Sequence, residues 1–338
     1  MEVRKVQITG GSSYVISLPK DWVRAMNIKK NDPMAVKIQP NGTLLISPRI
    51  TVTPEPRVKQ LDADAIRDPT FLLRSLIGAY IVGHSVIHIT SRSKLSPAVR
   101  KVANDFTLMT IGQEIVEETD TSITLKDLLN PTEMPFDNSI KRMYLIVRSM
   151  YLDAMTALQK KELDLTLDII QRDREVDRLH WLIARQYHLL LKEIGLLEKM
   201  RISQREALNY YIISRILERM GDHGERIARF VPTLIELKVD PRIGEDLKAA
   251  TELAMSILES SMKALFSSNA EDANSVINAL DKLESLADHI TDQAFQKKGA
   301  AALSIGYINE SIRRAGEYSA DIAENVINQV IDQETLKK

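Results

Sequence analysis

The sequence predicts a multidomain chain: a small β-rich head of ββαββ pattern, a short α/β middle segment, and an all-α body of two three-helix-bundle repeats. Two observations carry that expectation. Short alternating apolar runs separated by glycine turns fill the first fifty residues, and from Asp137 onward long helical patterns follow one another with little else. A third is that those helical patterns fall into two sets of three, each about ninety-five residues long.

Composition agrees. A chain of 338 residues has room for two or three domains. An apolar share of 44% and a charged share of 27% fit a globular protein, and aromatics at 5% favour aliphatic helix packing over a β-sandwich. The chain has no cysteine, which excludes disulfides and thiolate metal ligands and is compatible with the cytoplasm. Met1 to Lys5 lacks the apolar run of a signal peptide, and the most apolar stretch, Phe71 to Ile89, is interrupted by Arg74, His84 and His88. A cytoplasmic protein without a transmembrane segment is therefore expected. Net charge is −1, yet residues 1–53 hold eight Lys/Arg against three Asp/Glu, or +5, leaving −6 for the remainder. A basic head on an acidic body points to a polyanion partner for the head alone.

In the head, residues 3–9 alternate like a strand, Gly10-Gly11 turns the chain, and Tyr14 to Leu18 makes a second strand. Pro19 opens a short helix over Lys20 to Met26, where its missing N–H costs nothing. Met34 to Ile38 and Thr43 to Ile46 then form a hairpin around Asn41-Gly42. So few large apolar side chains leave a lone copy marginal, and dimerisation is the expected remedy.

Val3-Arg-Lys-Val-Gln-Ile-Thr-Gly-Gly-Ser-Ser-Tyr, Ser17-Leu-Pro-Lys, Trp22, Lys30-Asn-Asp and Gly42-Thr-Leu-Leu-Ile resemble the SpoVT/AbrB family. The resemblance implies a swapped-hairpin homodimer over 1–50 that binds DNA through basic residues. It makes Arg4, Lys20 and Arg24 the candidate phosphate and groove contacts, with Lys5 beside them. The chain departs from the pattern at Ser12 and Ser13, where many members place an arginine after the turn glycine. Backbone contacts alone position a protein without specifying sequence, so a head that only dimerises stays open as an alternative.

Residues 51–64, with Pro54 and Pro56, read as an extended linker. In the 65–135 segment, Asp68-Pro69 starts a helix over Thr70 to Val82, Ser85 to Thr90 is a strand, and Ser96-Pro97 enters a second helix ending at Leu108. Gly112 to Glu118 and Ser122 to Leu125 complete a hairpin. His84 and His88 have metal-ligand spacing only on a helix, whereas the local pattern is turn then strand. The role of this segment is not legible from its residues.

In the body, repeat one (136–240) is read as helices over Ser139 to Leu158, Asp164 to Glu193 and Ser203 to Leu237, with Pro232 the one place where the third could break. Asp240-Pro241 is the boundary. Repeat two (241–338) is read as Ile243 to Phe266, Glu271 to Lys297 and Ala301 to Gln333. Asp173, Val176, Asp177 and Leu179 align with Leu280, Leu283, Glu284 and Leu286, while Gly221-Asp222 and Ile227-Ala228 align with Gly316-Glu317 and Ile322-Ala323.

Glu218, Asp222 and Glu225 recur at i, i+4 and i+7, along one helical face. Arg215, Arg219, Arg226 and Arg229 are spaced to pair with them as a solvated charged face, and a metal-ion face is the alternative. Asp173 lies on an apolar stripe of Ile169, Val176, Ile183 and Leu190, where a carboxylate is costly to bury without a partner. An arginine from a neighbouring helix or a hard cation would supply one.

Leu217-Glu218-Arg219-Met220-Gly221-Asp222-His223, followed by Ile227-Ala228, resembles the signature helix of the PhoU family of phosphate-uptake regulators. The resemblance covers roughly 138–333 and implies two three-helix bundles whose E/D-x-x-x-D pairs bind metal ions such as iron, zinc, manganese or magnesium. It assigns Asp173, Asp177, Glu218 and Asp222 as ligands. Repeat two keeps only Glu284 and Glu317, with Asp321 at i+4 from Glu317, a weaker candidate set because Leu280 and Arg313 replace the other two acids. The resemblance also implies contact with a phosphate ABC transporter or its ATPase subunit.

No enzyme is expected. Gly10-Gly11 leads to no helix N-terminus, no cysteine nucleophile exists, and Glu284 to His289 misses the Glu-x-x-His spacing of bundle di-iron sites. The expected function is a phosphate-responsive transcriptional regulator. A transporter adaptor that does not bind DNA and a metal-binding sensor are the alternatives.

Overall fold

The computed structural model describes residues 2–38, 42–48, 56–66, 68–193 and 195–336. The chain divides into two compact units, Met1–Glu55 and Pro56–Lys338.

The first unit has the expected ββαββ order: β1 Gln7–Thr9, β2 Ser13–Val15, α1 Lys20–Ala25, β3 Ala35–Ile38 and β4 Leu44–Ser47. β1 pairs antiparallel with β2, and β3 with β4, as two separate two-stranded sheets. The strands are shorter than the alternation suggested. Asn41, half of the expected Asn-Gly turn, lies outside the described residues, as do residues 51–55 of the expected linker. Among the described residues from 2 to 48 none is buried. Val3, Tyr14 and Ile38 are 85%, 77% and 74% exposed. A two-stranded hairpin is marginal in water on its own, so this head lacks a core as a single copy.

The second unit begins with an α/β module. Val58–Asp62, read from sequence as linker, is instead a strand, β5. It is followed by α2 Pro69–Ile81, β6 Val86–Thr90, α3 Pro97–Met109, β7 Gln113–Glu118 and β8 Ser122–Asp127. The sheet order is β5-β6-β8-β7, with β5 parallel to β6 and the other pairs antiparallel. β5 escaped notice because only Leu61 of its five side chains is buried, so its hydrophobic signal is one residue. Both helices start where Asp-Pro and Ser-Pro placed them: Asp68 accepts from Thr70 N–H and Ser96 from Val99 N–H. His88 faces Thr124 across the sheet, its Nδ1 3.0 Å from the hydroxyl.

The body follows: α4 Phe136–Lys160, α5 Leu163–Leu190, the short α6 Leu196–Met200, α7 Gln204–Glu236, α8 Pro241–Ser267, α9 Ala270–Asn278, α10 Leu280–Phe295 and α11 Ala300–Leu336. A capping box of Ser203 and Glu206 starts α7, and Asp240 caps α8 ahead of Pro241. Pro232 does not break α7. Buried Val231 and Leu234 hold the helix into the core on either side of it. Where one helix was expected over 271–297, α9 and α10 are separated at Ala279, just before Leu280 and Leu283 pass beneath Gly316. One hydrophobic core runs through both repeats. Tyr151 ties them together, donating its buried hydroxyl to the Met220 carbonyl at 3.1 Å and lying 3.5 Å from that of Ser311.

The α/β module is fastened to the C-terminal half of α5. Arg185, 3% exposed, donates to Asp127 through Nε at 2.9 Å and to the Tyr80 carbonyl, with its guanidinium over the Tyr80 ring. Gln186 donates to the carbonyls of Pro131 and Met134, Lys192 to that of Val82, and Trp181 packs against the module's core. Burial pushes the Asp127 carboxyl up even with Arg185 beside it. A buried pair of this kind tolerates the loss of neither partner.

Candidate functional site

Asp173 and Asp177 sit one turn apart on α5, and Glu218, Asp222 and Glu225 run along the facing side of α7. The α5–α7 packing brings these five carboxylates together. The approach is close because α7 presents Gly221 here: a Cβ at that position would lie 2.8 Å from Asp173 Oδ1 and 3.3 Å from Val176 Cγ1. Glycine lets the two backbones come near enough for the α5 carboxylates to lie against α7.

Burial and mutual repulsion act in the same direction. Asp173 is pushed up to about 8, first by burial and then by Asp177, Asp222, Glu225 and Glu218. Burial, then Glu218, Asp222 and Glu225, push Asp177 up to about 7, with Arg215 opposing. Glu218 and Asp222 are also raised, chiefly by burial. The arginines neutralise only the margins. Arg215 donates to Glu218 at 3.1 Å and Arg229 to Glu225 at 2.7 Å. Asp173 and Asp177 form no ion pair among the described residues; Arg215 and Arg229 of α7 act on them only at longer range. Glu218 Oε2 is buried without a hydrogen-bond partner.

A set of hard oxygen donors from two helices, mutually repelling and holding one orphaned buried oxygen, suits a divalent cation. Among the described residues no three such groups already converge closely enough to hold an ion.

The weaker candidates in repeat two are arranged differently. Glu284 is exposed on α10. Glu317 is held by Arg313 at 2.5 Å and by Arg314 at 2.8 Å. Asp321 is raised by burial and by Glu324 and Glu317, with Arg219 opposing. In the head, Lys5, Lys20 and Arg24 are exposed, and Arg4 pairs with Glu2. Arg24 stands 3.9 Å from Asp21.

A cavity of about 300 Å³ beside the acidic seam, between α5, α7 and α11, was not anticipated. Its arginines were noticed in the sequence only as salt-bridge partners. Nothing local announces that His180 of α5 and Asp321 of α11 share a wall with them.

Two mirrored helical repeats, an acidic seam in the first and a small basic β-rich head define a class of two-part protein. The PhoU domain family matches residues 140–231, and the family described as "Antidote-toxin recognition MazE, bacterial antitoxin" matches residues 7–54. Residues 140–231 are thus similar to a PhoU domain, and residues 7–54 to a domain of MazE type. Among solved structures it resembles PhoU from Pseudomonas aeruginosa, with a TM-score of 0.50, 19% identity, and coverage of 59% of this chain and 96% of that one. That coverage exceeds what one repeat supplies, and it supports the two-repeat fold. The phosphate transport system regulatory protein PhoU from Streptococcus pneumoniae matches with a TM-score of 0.48, 22% identity, and coverage of 57% and 91%. No curated protein matches the chain. Among the described residues, no helix is long and apolar enough to cross a membrane.

Proposed function

We propose that this protein is a phosphate-linked transcriptional regulator whose head binds DNA as a homodimer while its PhoU-like body reports phosphate-transport status. The observation that carries this reading is the state of the head. It has no buried residue among those described, its apolar side chains are open to a second copy, and Lys5, Lys20 and Arg24 are exposed as well. Arg4 adds a fourth cation. A second head would supply the missing core, and the paired basic surface would then suit a phosphate backbone.

The body would engage a phosphate ABC transporter or its ATPase subunit, a reading supported by the similarity of residues 140–231 to the PhoU domain. Asp173, Asp177, Glu218 and Asp222 would hold a hard divalent cation, which would relieve their mutual repulsion. A switch then requires transporter engagement or a bound effector to favour one of the DNA-competent and DNA-incompetent arrangements over the other.

Fluorescence anisotropy on DNA from upstream of phosphate-transport genes, with a scrambled duplex as control, tests the head at two salt concentrations. Tighter binding to the upstream DNA that falls steeply with salt and is lost in Arg4→Ala/Arg24→Ala is expected. Equal binding to both duplexes would replace this reading with that of a transporter adaptor whose head only dimerises. Ser12 in the turn and Ser13 at the start of β2, where many SpoVT/AbrB members place an arginine, favour that second reading. For the body, Asp173→Asn/Glu218→Gln should lower bound metal measured by mass spectrometry; unchanged content would remove the metal assignment.

A further inference from the structure

We propose that the cavity between α5, α7 and α11 binds a small oxyanion that still carries hydroxyl hydrogens, with dihydrogen phosphate the simplest such species. Arg215 and Arg219 would clamp its oxygens, while its two hydroxyls would donate one to His180 Nε2 and one to Asp321. The inference rests on the sensing half of the function proposed above and not on its DNA-binding half.

The cavity is lined by His180, Tyr211, Arg215, Arg219, Tyr318 and Asp321, among others. Arg215 and Arg219 are one turn apart on α7 and share its face. Arg219 forms no direct ion pair among the described residues, so its guanidinium is available.

The tautomer of His180 follows from its partner. Ser214 Oγ donates to the Tyr211 carbonyl at 2.7 Å and so offers its lone pair to His180 Nδ1, 3.0 Å away. Nδ1 therefore carries the hydrogen, and Nε2 is left as a bare acceptor. His180 is only 4% exposed, and burial, then Arg215, push it down to about 4, which keeps the ring neutral at pH 7. Nε2 has no hydrogen-bond partner among the described residues.

The cavity thus presents two cationic donors and two acceptors. A cation is disfavoured by the arginines, and a neutral ligand would leave their charge unused. A fully ionised oxyanion such as sulfate would set oxygens against the Asp321 carboxylate and the His180 lone pair with no hydrogen between them. An oxyanion with two O–H donors satisfies both walls, and the buried His180 acceptor is costly to leave unpaired. Free phosphate and a small phosphomonoester with hydroxyl groups share this chemistry, and the volume admits either. Because Arg215 also holds Glu218, the ligand would compete with the acidic seam for the same guanidinium. That competition would join ligand occupancy to the α5–α7 carboxylates.

Isothermal titration of the full chain at pH 7 tests this. EDTA is included so that no cation on the carboxylates recruits anions. Inorganic phosphate, glycerol 3-phosphate and sulfate are titrated in turn. One of the two phosphates is expected to bind at least tenfold more tightly than sulfate, and the tighter of them identifies the source. Arg215→Gln/Arg219→Gln should weaken that binding at least tenfold. Asp321→Asn should narrow the preference over sulfate. These three side chains are exposed, and an unchanged melting profile would show that the variants fold. No binding of either phosphate, equal binding of sulfate, or affinity unmoved by the arginine substitutions would overturn the proposal. Salt-sensitive DNA binding would survive any of those outcomes, so the two readings fail separately.

Discussion

The two repeats use the same helix crossing for opposite chemistry. In repeat one, Gly221 brings α7 against Asp173 and Val176 of α5. In repeat two, Gly316 brings α11 against Leu280 and Leu283 of α10, and a Cβ there would lie 3.3 Å from Leu280 Cδ2 and closer still to Leu283. The glycines are therefore architecture common to both halves, while the charge beneath them is particular to the first. Leucine seals the second crossing, and Arg313 and Arg314 hold Glu317 there. In repeat one, Asp173 and Asp177 form no ion pair among the described residues, and burial raises both. Its α5 also anchors the α/β module through Arg185, a load that its counterpart in repeat two does not carry.

The largest effect should come from that anchor. Arg185→Met leaves Asp127 buried and unpaired, at an expected cost of about 3–5 kcal/mol in denaturant unfolding. A loss under about 1 kcal/mol would mean that the module is held by packing alone. Next, Leu283→Ala opens the leucine seal and should cost about 2–5 kcal/mol, whereas no comparable loss is expected from changing the acid at the equivalent crossing. Asp173→Asn should instead stabilise the metal-free protein by about 1 kcal/mol at pH 8, because it removes a half-buried charge among like charges.

That gain should shrink toward pH 5, where Asp173 already holds its proton. The sign follows from linkage. With folded-state values raised from 3.8 to about 8 and about 7, Asp173 and Asp177 contribute stability that is full below about pH 4 and is lost as pH rises through 7 and 8. Melting temperatures across that range should fall less steeply in Asp173→Asn; an identical slope would show that the acidic seam does not titrate as a unit. The smallest effect is expected from Arg313→Gln in repeat two. It breaks a partly exposed ion pair and should change stability by no more than about 1 kcal/mol.

Local signals reached far along the chain. The Asp68-Pro69, Ser96-Pro97 and Asp240-Pro241 starts appear as written, because capping needs only neighbours in sequence. Periodicity placed Asp173 and Asp177 on one face of α5 and Glu218 and Asp222 on one face of α7; that the two faces belong together was implied only by the resemblance to the PhoU family. β5 was missed because a strand with one buried side chain gives almost no periodic signal. The division at Ala279 was missed because no glycine or proline marks it.

By itself the sequence determined the ββαββ order of the head, the doubling of the helical body, the basic character of the head and the acids of α5 and α7. These depend on periodicity, capping and composition, which are properties of short stretches. Only the tertiary structure decided that Arg185 locks the α/β module to α5, that Leu280 and Leu283 seal the second crossing, and that His180, Arg219 and Asp321 line one cavity. Each joins residues dozens to more than a hundred positions apart, and such contacts are fixed by how closely helices pack rather than by any pattern along one of them.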